Sequence, residues 1–178
     1  RGIGKAIAIE LGKSFNVAVG YSSSKEAGEE VVEEIMKSNG TATAVEINVT
    51  STESVENAFV AIEKEYGGID VLVNNAGIAK DNILPRLKED EWDEVINTNL
   101  TGSFRTSQRA IKHMMKSKWG RIIYISSIVG LASNIDSAKL SSFSPIIFRP
   151  ASGTADMPLI IPCSSGVIPK VVAASGAI

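Results

Sequence analysis

Val71-Leu72-Val73-Asn74-Asn75-Ala76-Gly77 is an apolar run that breaks into two asparagines, a small residue and a glycine. The Ile/Val/Leu-rich residues 69–73 predict a strand buried on both faces, as in a parallel sheet. Side-chain amides and a glycine follow at once, at the carboxyl end of that strand. Open α/β sheets bind their ligands at that end.

The pattern continues on both sides. Ile3, Ile7 and Leu11 repeat at helical spacing from Gly2 and stop near Gly12, and Val17-Ala18-Val19 reads as a short buried strand. Val31, Val32, Ile35 and Met36 predict a helix over residues 27–37, ended by Asn39-Gly40. Residues 42–49 read as a strand. Thr50-x-x-Glu53 has the form of a capping box before the stripe Val55, Phe59, Ile62 and Tyr66. Gly67-Gly68 closes that helix ahead of the 69–73 strand. Two further helices are expected near residues 89–97 and 102–116, the second burying Phe104, Ala110, Ile111 and Met114 or Met115. Residues 121–125 are the next strand. Strands and helices alternating over short connections imply right-handed βαβ units and a doubly wound parallel sheet.

After Leu131 the alternation ends. Five of the six prolines lie beyond it, among Ser/Gly clusters. Residues 1–131 are therefore expected to form the domain, and 132–178 a divergent, poorly structured tail.

The chain is 44% apolar and 21% charged over 178 residues, the make-up of one globular domain. A net charge of −2 gives no reason to expect nucleic acid or an anionic membrane as partner. No apolar run reaches the roughly 18 residues that suggest a membrane span. There is no signal-peptide pattern, and the single cysteine, Cys163, fits a reducing compartment; cytoplasm is the expectation. His113 and Cys163 lie far apart in sequence, so neither a metal centre nor a cysteine–histidine nucleophile is expected, and His113 reads as a helix-surface residue.

Four segments together resemble the short-chain dehydrogenase/reductase family. Asn74-Asn75-Ala76-Gly77 matches its cofactor-binding signature at every position. Asn97-Thr98-Asn99-Leu100-Thr101-Gly102 is similar to its asparagine segment and Ser126-Ser127-Ile128-Val129-Gly130 to its serine segment. Arg1-Gly2-Ile3-Gly4 resembles the close of its glycine-rich turn, Thr-Gly-x-x-x-Gly-x-Gly. The resemblance implies a Rossmann-like α/β/α sandwich, here truncated. It also implies a nicotinamide dinucleotide held by Arg1, Gly2, Ile3, Tyr21, Ser22, Asn48, Val49, Asn75, Ala76, Gly77 and Ile125.

Glycines let the backbone approach a diphosphate, and the helix that follows offers its positive end. A cofactor without the 2′-phosphate is usually held by an acidic residue closing the second strand. Here that strand runs into Tyr21-Ser22-Ser23-Ser24-Lys25, with no carboxylate before Glu26. With Arg1 and Lys25 as cations, NADPH is the expected cofactor. Asn48 stands where the family usually has aspartate beside the adenine, keeping an acceptor and adding a donor.

In that family a tyrosine donates the proton, a lysine lowers its pKa, a serine holds the carbonyl oxygen and an asparagine organises a water relay. The resemblance assigns the last two roles to Ser127 and Asn99. The tyrosine and lysine are expected near Leu140 and Ser144, and neither is there. Tyr66 and Tyr124 have no lysine four residues on; Tyr21 has Lys25 there, but ahead of the asparagine and serine segments rather than after them. Codons for Lys139-Leu140-Ser141-Ser142-Phe143, shifted by one nucleotide, can read Asn-Tyr-x-Ala-Ser, the family's string at this place. A shifted reading frame and a genuine variant both remain open.

The family's first strand is central in its order 3-2-1-4-5-6-7 and has no counterpart ahead of Arg1. The two halves of the sheet are therefore expected to lose their link, leaving edges and apolar faces exposed. Residues 77–84 and 92–100 resemble members that reduce 3-oxoacyl thioesters on acyl carrier protein. That likeness implies fatty-acid synthesis and, in the intact family, a homotetramer. Lys112, Lys116, Lys118 and Arg121 form a basic cluster that suits an acidic carrier protein or, equally, a helix C-terminus. An acetoacetyl-CoA or sugar-type reductase, and a catalytically dead NADP-binding remnant, are the alternatives.

Overall fold

The structure, a computed structural model, describes residues 2–80, 84–126 and 170–174. Five parallel strands form one sheet: β1 (Asn16–Tyr21), β2 (Thr41–Glu46), β3 (Val71–Asn74), β4 (Arg121–Tyr124) and β5 (Lys170–Ala174), in the order β2-β1-β5-β3-β4. The helices are α1 (Gly2–Gly12), α2 (Lys25–Lys37), α3 (Thr52–Tyr66), α4 (Glu89–Val95) and α5 (Gly102–Ser117). The doubly wound parallel architecture read from the sequence is present.

Helices cover both faces of the sheet, α1 packing with α2 and α3 with α5. Strand alternation divides the core between them. Val17, Val19, Val71 and Val73 meet Ala8, Val31 and Ile35 on one side. Ala18 and Leu72 meet Val55, Phe59, Ile62, Ala110 and Met114 on the other.

Local chemistry sets the boundaries. Ser24 caps α2 by accepting from the Ala27 amide at 3.3 Å. The cap of α3 is Ser51, not Thr50: its Oγ accepts from the Ser54 amide at 3.2 Å. Thr50 instead donates its hydroxyl to Asn48 Oδ1 at 2.8 Å. Gly67 ends α3 in the left-handed region at φ 78°, a conformation that favours glycine. At Gly68 (φ 146°) a Cβ would collide with the His113 ring. His113 is thus packed into the fold, with Nε2 3.5 Å from the Asp70 carboxylate, and is not the surface residue expected.

Three other expectations change. The 42–49 strand stops at Glu46, where Ile47 donates to the Tyr21 carbonyl at 2.7 Å and the chain leaves the ladder. The helices expected at 89–97 and 102–116 are one continuous path, joined by a π-helical segment, Ile96–Thr101. Within α5, Ala110 and Met114 are buried, but Phe104 (59% exposed), Ile111 (45%) and Met115 (72%) face outward. The buried face is instead made mostly of small residues, and at its start α5 lies close against the loop after β2: a Cβ on Gly102 would come within 2.8 Å of Val49 Cγ2.

Residues 132–178 were expected to lie outside the fold, and the centre of the sheet to be vacant. β5 occupies that centre, pairing in parallel with β1 and with β3. The physical reason is that two strand edges facing each other across a gap demand a strand between them.

Arg109 ties α5 to α3. Its guanidinium donates to both Glu63 oxygens at 2.7 and 2.8 Å and to Glu56 at 2.8 Å, and lies 5.5 Å from the Phe59 ring centroid. The hydrogen bond from Arg109 holds the Glu63 carboxyl below its usual range, assisted by the charge of Arg109 and opposed by burial. A carboxylate with a lowered folded-state pKa stabilises the fold fully above its unfolded value of about 4.3. That contribution is lost as pH falls through the folded value. Arg109→Met is expected to lower stability at neutral pH by about 1–2 kcal/mol. It should also flatten the acid limb of the stability profile. Urea titrations at several pH values check this, and an unchanged acid limb would exclude the pair as its source.

Candidate cofactor and active site

Because all five strands run the same way, their carboxyl ends share one rim. Gly20 and Asn74 both align with Ala174, Tyr21 with Glu46, and Asn74 with Tyr124. Residues 22–24, 47–51, 75–80 and 125–126 leave the sheet from that rim. α1 reaches it too, since its C-terminus turns through residues 13–15 into the amino end of β1. Its N-terminus, Gly2, therefore comes up at the carboxyl ends.

Gly2 is exposed with φ 63°, and nothing lies within 4 Å of where its Cβ would be. A glycine backbone in open space at a positive helix end suits an approaching anion. Ile3 beside it is 63% exposed. At the end of β1, the Tyr21 ring packs on Gly28 of α2, where a Cβ would meet Cδ1 at 2.8 Å. Ser22 and Ser23 are exposed. Lys25 pairs with Glu29 at 3.4 Å on the surface of α2.

Asn48 is exposed, but its Oδ1 already accepts from the Thr50 amide (3.0 Å) and hydroxyl (2.8 Å). Only its Nδ2 remains to meet a ligand, a narrower capacity than the sequence suggested. Val49 is buried in the core against Gly102, so any part it plays at the rim is through its backbone.

The loop after β3 is held from two sides. Asn74 is buried at the strand end; its Oδ1 accepts from Thr106 (2.7 Å) and its Nδ2 donates to Ser107 (3.1 Å). The Ser107 and Tyr124 hydroxyls share a further 2.8 Å bond. Farther along, the Asn99 amide grips Ile78: Oδ1 accepts from its N–H at 2.8 Å and Nδ2 donates to its carbonyl at 2.9 Å. Asn75, Ala76 and Gly77, each half-buried, lie between these anchors. The Ile125 amide donates to the Asn74 carbonyl at 2.9 Å, carrying β4's exit alongside the same loop.

Asn99 sits in the π-helical segment, a departure from α-helix that often marks functional sites. In this structure its side chain positions the 75–80 loop. Asn99→Ala would orphan the amide and carbonyl of Ile78 and is expected to cost about 2 kcal/mol. It should also raise hydrogen exchange in residues 75–80 selectively. Wild-type exchange in that loop, measured on the variant, would refute the clamp.

The structure thus brings Gly2, Ile3, Tyr21, Ser22, Asn48, Asn75, Ala76, Gly77 and Ile125 to one rim. Arg1, Ser127, Leu140 and Ser144 lie outside the described residues. Sequence reasoning missed the Asn74–Thr106–Ser107–Tyr124 network; the only available signal was a polar side chain closing an otherwise apolar strand. The basic cluster is not at this rim. Lys116, Lys118 and Arg121 flank the end of α5 and the start of β4, at the amino ends of the strands. That is the length of α5, on the order of 20 Å, from the rim, so the helix-C-terminus reading explains it better. Of two grooves, one between β2 and α3 and one between α3 and α5, neither is lined by Gly2, Tyr21, Asn48 or residues 75–77. Among the described residues no group of three or more His, Cys, Asp or Glu side chains can hold a metal ion. No described helix is long and apolar enough to cross a membrane.

The family model for short chain dehydrogenases matches residues 1–142. The chain belongs to the short-chain dehydrogenase family. The match runs past residue 131, where the motifs ended. Among relatives, this short-chain dehydrogenase is 46% identical over 135 residues to a 3-oxoacyl-[acyl-carrier-protein] reductase FabG of Staphylococcus aureus (strain N315), covering 75% of this chain and 55% of that protein. The FabG of Vibrio cholerae is 44% identical over 142 residues, covering 80% of this chain and 57% of that protein. The FabG of Vibrio harveyi is 46% identical over 134 residues (75% and 54%). The chain spans about half the length of the curated relatives it matches.

Proposed function

We propose that this chain carries the cofactor-binding part of an NADPH-dependent 3-oxoacyl-[acyl-carrier-protein] reductase, which converts a carrier-bound 3-oxoacyl thioester to the 3-hydroxyacyl thioester. The carrying observation is the shared rim: the Gly2 helix end, the strand-end loops and the anchored 75–80 loop stand at the carboxyl edge of one parallel sheet. Similarity to three proteins described as such reductases supports the substrate class.

The residues present suit the dinucleotide. Gly2 and the α1 N-terminus would take the diphosphate, Tyr21 and Ser22 the ribose phosphate, Asn48 Nδ2 the adenine, and residues 75–77 the inner ribose. When bound, NADPH supplies the hydride. The chain's own part is to hold that cofactor and, through Ser127, the substrate carbonyl oxygen. Asn99 keeps the 75–80 loop in place. Phe104, Ile111 and Met115 on the outer face of α5 support self-association along that helix, and with it the tetramer expected of the intact family.

A second reading, NADPH binding without turnover, is favoured by the absence of Tyr-x-x-x-Lys after the serine segment. NADPH oxidation with an acetoacetyl thioester separates the two. Thioester-dependent consumption supports the reductase; saturable NADPH binding with none supports the inactive form. Neither binding nor consumption would overturn both.

A further inference from the structure

Among the described residues β2 pairs with β1 alone and β4 with β3 alone, so the sheet ends in two open edges. Neither strand has a buried residue, whereas β3 is buried throughout. Parallel pairing turns alternate residues of a strand toward its neighbour and the others away. Ile47 donates to Tyr21 and Ile125 to Asn74, which fixes the alternation. The N–H and C=O groups of Ala42, Ala44 and Glu46 therefore point out from one edge, and those of Ile122 and Tyr124 from the other. Open edges are commonly protected by a lysine, a proline or a bulge. Thr41-Ala42-Thr43-Ala44-Val45-Glu46 and Arg121-Ile122-Ile123-Tyr124 hold no lysine or proline, and both pair without interruption. The two edges also differ in charge. Glu46 and Glu65 line the groove beside β2, and no cation lines it. Because α3 ends just before β3 begins, Glu65 stands at the amino ends of the strands. Lys116, Lys118 and Arg121 stand at that same end beside β4, all exposed.

We propose that the β2 edge receives the β4 edge of a second copy of this chain, extending the parallel sheet from molecule to molecule. All strands run the same way, so a copy displaced along the sheet lays its β4 beside β2 in parallel. The outward backbone groups of both strands then find partners. The same placement brings the copy's Arg121 and Lys118 to the end of β2 where Glu65 stands, so opposite charges meet. The contact is heterologous: the two surfaces differ, and each copy keeps one of each unused. With the sheet's twist carried from copy to copy, repetition gives open chains rather than a closed ring. The surface is separate from the outer face of α5, and the contact needs no cofactor.

Sedimentation of the intact 178-residue chain over a range of concentrations tests this. The mean mass is expected to rise with concentration without levelling at a dimer or tetramer, and to fall as salt screens the charges. A mass that stays at the monomer, or levels at a dimer or tetramer, overturns the proposal. Ala44→Pro removes an outward N–H and leaves the ladder to β1 intact. At an unchanged melting midpoint it should raise the concentration needed for a given mean mass about tenfold. Phe104→Glu disrupts association through α5 and should leave the growth in place. Growth lost in Phe104→Glu and kept in Ala44→Pro would assign self-association to the helix face and overturn the edge contact. Glu65→Lys and Arg121→Glu should each weaken growth roughly two- to fivefold, and the two together should restore it. A double variant as weak as either single one refutes the pairing of the edges by charge, whether or not Ala44→Pro folds.

Discussion

Acetoacetyl thioester is expected to be reduced by this chain on the order of 10²- to 10⁴-fold more slowly than by the Staphylococcus aureus relative, the range that a positioned proton donor contributes. The ketone oxygen must gain a proton as the hydride arrives. The Tyr-x-x-x-Lys that would provide it after the serine segment is absent, with Leu140 and Ser144 near the expected positions. The remaining tyrosines do not replace it: Tyr21, with Lys25 four residues on, packs its ring against Gly28 of α2 while Lys25 pairs with Glu29. Tyr66 lies on α3 with its phenol pushed up by burial, the wrong direction for a group that must ionise near neutral pH. The Tyr124 hydroxyl is engaged with Ser107. Cofactor binding uses a different set of groups and should survive. Steady-state turnover beside an NADPH titration checks this, and a rate within tenfold of the relative's would mean that a proton donor is present elsewhere.

Phe59→Ala is expected to cost about 4 kcal/mol, a large part of the 5–15 kcal/mol typical of a domain. Phe59 is fully buried at the centre of the core shared by α3, α5 and the sheet. Its ring also lies beneath Arg109, the residue joining the two helices. The cavity would therefore loosen the support of α5, whose Thr106 and Ser107 hold Asn74. Urea denaturation measures the loss. A change below 1 kcal/mol would mean that α3 does not pack as described.

The strands were legible where apolar runs were dense, as at Val17–Val19 and Val71–Val73, and the helix stop at Gly67 was legible because a left-handed cap selects glycine. The inward face of α5 was not. Helical periodicity weighs large apolar side chains, yet the residues turned inward are mostly small ones, Gly102, Ser103, Thr106 and Ala110, while Phe104 and Ile111 lie outside. The rim's membership was visible in the Asn-Asn-Ala-Gly signature, but its mechanics were not. The acceptor of Asn48 is taken by Thr50, and Asn99 grips a backbone twenty-one residues away. β5 was invisible for a further reason. Lys170–Ala174, between Pro169 and Ser175-Gly176, has no pattern that distinguishes it from a loop. It becomes a strand only because two open edges demand one, and that demand is not local.

Titrating the isotope-labelled chain with NADPH while following backbone amide shifts tests the central claim most directly. The account requires the largest shifts at Gly2, Ser22, Asn48 and Asn75–Gly77, all rising along one saturation curve. Shifts clustered instead at the amino ends of the strands, near Lys116 and Arg121, or shifts that never saturate, would contradict it.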